Sequence, residues 1–311
     1  MASHPARIAV LGGGAVGCYF GAMLARAGHP VTLVGRQRTV DAVRNSGLRL
    51  RRSDLDETVP IEASTDPSVI AGADVVLLSV KSFDTESAAR QMQPWLAPGS
   101  MVLSMQNGVE NPSLIQAIVG CAVMPAVVYV AAEMTDASEV THSGRGDLII
   151  GTRCLDGRAS TLSPDSVAAI FTAAGVPVRI SGNVDGDAWE KLAMNCALNA
   201  ISALARARYG QIAGFGPTRS LMNEAVDEVG AVARAAGVRI PVDDLRAAAA
   251  RLSEAMTRAT SSTAQDIARG KRTEIDALNG YIARLGDRLG VATPVNRALH
   301  ALVSLREEAA R

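Results

Sequence analysis

The chain has 311 residues, enough for two domains each with its own core. Lys plus Arg and Asp plus Glu balance at 31 each, so the formal net charge is zero and no basic patch or tail favours nucleic acid or an anionic membrane. Aromatic residues make up 3%, too few for a stacking platform for single-stranded nucleic acid, and no apolar run approaches the ~18 residues of a membrane span.

Residues 1–6 precede the first strand signal, a stretch too short for a signal peptide. Cys18, Cys121, Cys154 and Cys196 are scattered without a C-x-x-C pair, the usage of reduced thiols in the cytoplasm. His4, His29, His142 and His300 show no ligand spacing, so no metal site is expected.

Ile8–Leu11 is an apolar run long enough for one buried parallel strand. Gly12, Gly14 and Gly17 then fall on G-x-G-x-x-G, with Gly13, Ala15 and Val16 between them. Residues 18–27 read as a helix stopping at Gly28, and Val31–Val34 as a second strand. In a strand–turn–helix setting the first glycine allows the tight turn. The second lets the backbone approach a pyrophosphate, and the third lets the helix pack on the strand. The helix N-terminus adds unpaired N–H groups and a positive dipole end. The loop from Gly12 to Gly17 is therefore expected to bind a dinucleotide.

Gly35-Arg36-Gln37-Arg38 follows the second strand, with Arg36 19 residues past Gly17. An NAD enzyme usually places an acid here, for the ribose 2′-hydroxyl. This chain has two arginines instead, and a guanidinium offers a planar fork and a permanent charge to a 2′-phosphate. The pattern predicts NADP(H); the other reading is a solvated loop.

Residues 73–80 form a further buried strand, with Lys81 at its carboxyl end, where open α/β sheets bind ligands. Met101–Ser104 is another strand, and it leads into Gln106-Asn107-Gly108. Asn-Gly is a turn pair. Its place past a strand end leaves two readings of Asn107 open, a plain turn or a contact to cofactor or substrate. Residues 123–132 and 147–151 are apolar and 139–142 are mixed, with Gly144-Arg145-Gly146 read as a hairpin turn between the last two. These are expected as antiparallel strands extending the parallel sheet. Residues 163–174 read as a helix and 176–180 as a last strand. The turn-rich stretch 181–186 marks a boundary: residues 1–184 form a dinucleotide-binding Rossmann domain and residues 185–311 a helical substrate and catalytic domain. The expected class is α/β, a Rossmann-type doubly wound sheet with an antiparallel extension, plus an all-α C-terminal domain.

Residues 189–201 form a helix that is apolar nearly all round, hence buried. Lys191, Asn195 and Asn199 recur every four residues and so stack on one face. Buried polar groups need partners, which neighbouring backbone or a polar ligand would supply. A desolvated lysine titrates nearer neutrality, which suits a proton donor.

Residues 263–269 are helical, and Gly270 offers a stop. Thr273-Glu274-Ile275-Asp276 has the form of a capping box with Thr273 as N-cap, so two helices broken at 270–273 are expected. In an unbroken helix Ser262 and Glu274 would lie ~18 Å apart along the axis, too far to hold one small substrate. A turn between them brings them together. The other reading of Glu274 is a first-turn acid favouring its helix dipole.

Taken together, these motifs resemble ketopantoate reductase. The resemblance is carried by the glycine loop, Val80-Lys81, Gln106-Asn107-Gly108, the run WEKLAMNCALNAISAL from Trp189, and Ser261-Ser262, Gln265-Asp266 and Thr273-Glu274-Ile275-Asp276. They come in the family's order and span nearly the whole chain. The resemblance implies NADPH-dependent reduction of 2-dehydropantoate to pantoate, a step of pantothenate and coenzyme A synthesis. It implies Lys191 as the general acid at the ketone oxygen and Glu274 as an active-site acid. Asn195, Asn199 and Ser262 match substrate contacts, Asn107 a contact to both cofactor and substrate, and Lys81 and Ala132 cofactor contacts. Three departures bear on the substrate rather than on the cofactor or proton transfer. Tyr209 and Ala259-Thr260 stand where well-known members carry Asn and Asn-Ile, and SSTAQD replaces SSMLQD. A reductase of another small 2-oxo acid and a non-catalytic NADP-binding sensor are the alternatives. Against the sensor stand Lys191, Asn195, Asn199, Ser262 and Glu274, because binding alone has no need of an acid paired with a buried lysine. The expected partner is a small 2-oxo acid, with no nucleic acid and no membrane; a homodimer is left open.

Overall fold

The computed structural model describes residues 5–152, 154, 155 and 158–309, so His4 lies outside the described residues. Contacts divide the chain into two units: Met1–Gln106 with Glu110–Val184, and Asn107–Val109 with Asp185–Arg311.

The first unit is built on one mixed sheet. Its parallel part comprises β1 (Ile8–Leu11), β2 (Val31–Val34), β5 (Glu62–Ser64), β6 (Val75–Leu78), β7 (Met101–Ser104) and the start of β8 (Ala122–Asp136), in the order β5-β2-β1-β6-β7-β8. Leu11 stands level with Val34 and Leu78, and Leu78 with Ser104, so these strands end at one edge. The strand order reverses between β1 and β6. That switch point is where a doubly wound sheet opens a crevice for a ligand.

Alternation along the strands packs both faces. Ile8 and Val10 share a core with Tyr19, Phe20 and Leu24 of α1 (Ala15–Arg26). Ala9 and Leu11 join the opposite core, with Ala88, Ala89 and Met92 of α3 (Thr85–Met92) and Ile115 of α4 (Asn111–Ile118). Fully burying a side chain such as Phe20 contributes roughly 1.5–3 kcal/mol, and both faces are covered, as a parallel sheet requires. The helix α2 (Gln37–Ser46) and the antiparallel pair β3 (Leu48–Arg52) and β4 (Leu55–Val59) complete this half.

Beyond β7 the sheet turns antiparallel. β8 pairs with β9 (Glu139–Gly151) from Ala126 opposite Ile150 to Asp136 opposite Glu139. β9 also pairs in parallel with β3 and with β10 (Val178–Ser181), which follows α5 (Pro164–Ala173). The reversal therefore falls at Ala137 and Ser138, not at Gly144-Arg145-Gly146. That triplet lies inside β9, where Val130 faces Gly146 and Ala131 faces Gly144. Arg145 is the extra residue of a β-bulge, with φ +43°. A bulge and a turn recruit the same left-handed backbone, which is why the glycines on either side read as a turn. The Arg145 guanidinium lies 4.0 Å from the Tyr129 ring centroid and pairs with Asp147 at 2.7 Å, which holds the bulge.

The second unit is helical. It comprises α6 (Val184–Ala205), α7 (Tyr209–Gly214), α8 (Gly216–Ala235), α9 (Leu245–Ala255), α10 (Ser262–Ala268), α11 (Asn279–Leu289) and α12 (Pro294–Glu308), with Val184 itself at the border. Its core gathers Trp189, Leu192, Cys196 and Ile201 of α6 with Val226 and Val229 of α8, Ile282 of α11 and Leu299 and Val303 of α12. Val109 packs against the same core. Among the described residues no helix is long and apolar enough to cross a membrane, and no group of His, Cys, Asp and Glu could hold a metal ion.

Candidate active site

The glycine turn after β1 is shaped by its neighbours. Gly12 has φ +123°, and a Cβ there would lie 2.7 Å from the Ser79 backbone. At Gly17 a Cβ would run into the Gly12 carbonyl oxygen and Ser79 Oγ, with Val10 Cγ1 2.9 Å away. The hydroxyl of Ser79 donates to the Gly12 carbonyl across 3.0 Å and ties the turn to the end of β6. Gly14 differs. It is the N-cap of α1, at φ −91° and ψ −178°, and no side chain caps the helix there. A Cβ on Gly14 would meet nothing within 4 Å. The first-turn amides of a helix have no partner within it, so Ala15, Val16 and Gly17 present donors and a positive dipole end beside that open space. This fits the pyrophosphate of a dinucleotide.

Arg36 lies two residues past β2 as the N-cap of α2. Its side chain is 91% exposed, and a guanidinium nitrogen lies 3.8 Å from Asp84. Arg38 is also exposed. Lys81 follows β6 half-buried and opens the 3₁₀ turn Ser82–Asp84 that carries Asp84. Ala132 stands in the antiparallel ladder opposite His142, seven residues past the level at which β7 and the parallel start of β8 end.

The second unit holds a cluster of polar side chains. Lys191 and Asn195 are half-buried on α6, and Asn199 is buried. Lys191 Nζ donates to Asn107 Oδ1 at 3.1 Å. Asn107 Nδ2 in turn donates to Glu274 Oε2 at 3.0 Å. Asn107 is thus more than a turn residue: its carboxamide presents an acceptor to the ammonium and a donor to the carboxylate. Glu274 is only 7% exposed. A buried carboxylate is tolerated where charge and hydrogen-bond donors face it.

Glu274 does not sit in the first turn of a helix. The chain between α10 and α11 is longer than the expected break and carries only the 3₁₀ turn Ile275–Ala277, with Glu274 as its N-cap. The capping box does not form. Thr273 Oγ1 accepts from Ile275 N at 3.2 Å rather than from Asp276 N as a capping box requires, while Asp276 pairs with Arg272 and His300. The competing contacts to His300 win because they join this break to α12. Glu307 of α12 adds a second link, accepting from Thr273 N at 2.8 Å.

Ser262, expected as a substrate contact, is the exposed first residue of α10. Its neighbour Ser261, part of the same motif but not among the expected substrate contacts, is buried. Ser261 Oγ accepts from Ala264 N at 3.0 Å and donates to the Asn199 carbonyl at 3.0 Å. A serine just before a helix is an N-cap signal, and that signal was available. Tyr209 donates to Asn199 Oδ1 at 3.3 Å. The cysteines offer no nucleophile: burial pushes the thiols of Cys18 to about 12 and Cys121 to about 11, and raises Cys154 and Cys196.

The family model for ketopantoate reductase PanE/ApbA matches residues 8–153, and the model of its C-terminal domain matches residues 183–307. A 2-dehydropantoate 2-reductase of Halobacterium salinarum is 34% identical over 97% of this chain and 99% of its own. One from Vibrio cholerae is 30% identical over 97% and 98%. The crystal structure of a PanE/ApbA family ketopantoate reductase from Ralstonia eutropha superposes with a TM-score of 0.92 at 50% identity, covering 98% of this chain and 99% of that one. A doubly wound sheet with a dinucleotide turn, joined to a helical unit with a lysine–carboxylate cluster, defines a pyridine-nucleotide-dependent oxidoreductase. The chain belongs to the ketopantoate reductase PanE/ApbA family.

Proposed function

We propose that the protein reduces 2-dehydropantoate to pantoate with NADPH. The observation that supports it is the chain of hydrogen bonds from Lys191 through Asn107 to Glu274. Reducing a ketone adds a hydride at carbon and a proton at oxygen. NADPH, bound at the glycine turn, supplies the hydride. The protein supplies the proton and the field. Lys191 Nζ carries the proton for the ketone oxygen. Asn107 Oδ1 holds that ammonium in place before the ketone arrives. Glu274 compensates the ammonium through the same carboxamide and accepts a hydrogen bond from the substrate's hydroxyl. Asn195 and Ser262 have no side-chain hydrogen bond among the described residues and serve as further substrate contacts, with Asn199. The stripe on α6 is then a lined site rather than a structural network.

The cofactor side rests on Gly12, Gly13, Gly14, Ala15, Val16 and Gly17 for the pyrophosphate and on Arg36 for the 2′-phosphate. Lys81, Asn107 and Ala132 are further cofactor contacts. Four buried thiols with no disulfide fit a reducing compartment, the cytoplasm.

The test is a steady-state assay following NADPH loss with 2-dehydropantoate and a panel of related 2-oxo acids. Turnover fastest with 2-dehydropantoate is expected. Turnover with another 2-oxo acid alone would move the protein to a different substrate of the same chemistry. NADPH binding without any turnover would leave a sensor.

A further inference from the structure

Tyr209 is 8% exposed, and burial pushes its phenol up to about 12, so it stays a neutral hydroxyl. Its backbone is fixed at the start of α7. Tyr209 N donates to the Ala259 carbonyl at 3.0 Å and Gly210 N to the Thr257 carbonyl at 3.1 Å. At Gly210 a Cβ would run into the Thr257 methyl, so the two segments approach closely. The phenol reaches Asn199, which is 3% exposed. There it donates to Oδ1 at 3.3 Å, while Ser261 Oγ donates to the Asn199 backbone carbonyl at 3.0 Å. Tyr209 and Ser261 thus hold the same residue at two points.

A carboxamide is ambiguous: turned over, it exchanges an acceptor for two donors. With the phenol O–H donating to Oδ1, the carboxamide turns its Nδ2 hydrogens to the other side. No described residue accepts from that nitrogen. Asn199 Nδ2 is not among the fully buried side-chain atoms that lack a partner, so it keeps access to a ligand, and an anionic oxygen is the acceptor that answers such a donor best.

We propose that Tyr209 is a positioning residue that holds the Asn199 carboxamide as a donor toward the carboxylate of the 2-oxo acid. This rests on the function proposed above. A charged acceptor answers that donor better than a neutral one, so analogues with the carboxylate amidated or esterified should bind more weakly.

Tyr209→Phe removes the hydroxyl and keeps the ring. The expected result is a KM for the 2-oxo acid raised about tenfold, the scale of one hydrogen bond no longer held in place. The turnover number should stay within about twofold and the KM for NADPH should not move. Asn199→Ala should raise the same KM at least as much, and Tyr209→Phe should add nothing in that background, because the two act as one unit. The thermal midpoint of each variant separates a folding defect, which would lower the number of active sites and leave KM alone. An unchanged KM in Tyr209→Phe overturns the proposal, and so does an equal further rise in the Asn199→Ala background. If the wild type reduces no 2-oxo acid, the function proposed above falls first, and this inference falls with it. Wild-type turnover with a silent Tyr209→Phe defeats this inference alone.

Discussion

Asn107 Nδ2 donates to Glu274 Oε2 at 3.0 Å, a bond between residues 167 positions apart in the chain. It fixes the carboxamide, because the same group must present its oxygen to Lys191 Nζ at 3.1 Å. Asn107→Ala removes both contacts; Asn107→Asp keeps the acceptor for Lys191 but sets a second carboxylate against Glu274. Like charges at that distance repel, so Asp should be the more damaging substitution. Comparing kcat/KM of the two variants checks this, and an Asp variant as active as wild type would show that the donor to Glu274 is idle.

Lys191→Ala is expected to lower the single-turnover rate of NADPH oxidation by ~10²–10⁴, the usual contribution of a positioned proton donor. Its thermal midpoint and NADPH affinity should stay close to wild type. Glu274→Gln keeps an oxygen that accepts from Asn107 Nδ2 but loses the charge. A large fall in kcat in that variant would identify the charge as the working part; a raised KM alone would identify substrate positioning.

The glycine turn offers a pair of substitutions with opposite signatures. Gly17→Ala forces a methyl into the Gly12 carbonyl and Ser79 Oγ, so the fold itself should lose about 1–3 kcal/mol. Gly14→Ala adds a methyl to open space at a backbone conformation any residue adopts. The thermal midpoint should therefore survive while NADPH binding weakens at least tenfold. Calorimetry of each variant with and without NADPH reads both effects.

Arg36 and Asp84 make a second pair, 3.8 Å apart. Arg36→Ala should raise the KM for NADPH at least tenfold and leave that for NADH nearly unchanged. Asp84→Asn removes a competitor for the guanidinium and should lower the KM for NADPH modestly. Equal loss for both cofactors in Arg36→Ala would contradict a 2′-phosphate role.

The break that carries Glu274 should respond to acid. Burial raises the carboxyl of Asp276, but hydrogen bonds and charge from His300 and Arg272 outweigh it and hold the group below its ordinary 3.8. A depressed pKa stabilises the fold above the unfolded value and loses that contribution as pH falls through the folded one. Asp276→Asn should therefore lower the thermal midpoint at pH 7, and the gap to wild type should close as pH drops below about 3.8. A gap independent of pH would mean that the pair with His300 contributes no charge.

Much of the first unit was legible because its strands are buried on both faces: β1, β2 and β7 are apolar runs bounded by turn residues, and the glycine spacing places the dinucleotide turn. β3, absent from the sequence expectations, does carry a signal: Leu48 and Leu50 point in and Arg49 and Arg51 point out, the alternation of a half-buried strand. The polar stripe on α6 was legible as a stripe. Its partners were not, because Asn107 lies 84 positions before Lys191 and no local pattern carries such a distance. Glu274 was placed by its neighbours Thr273 and Asp276 in a helix start that contacts from α12 override.

The three residues Asn107–Val109 group with the helical unit, while their flanks on both sides belong to the sheet. The helical half is therefore not a contiguous gene segment. A fragment beginning at Asp185 would encode every helix from α6 onward except the border residue Val184, yet would lack Val109 from its core and the carboxamide that joins Lys191 to Glu274. Splitting the chain at that border and mixing the two pieces would ask one strand-to-helix connection to re-enter a finished helical bundle. Exchange of this half between relatives would have to carry the tripeptide along with it.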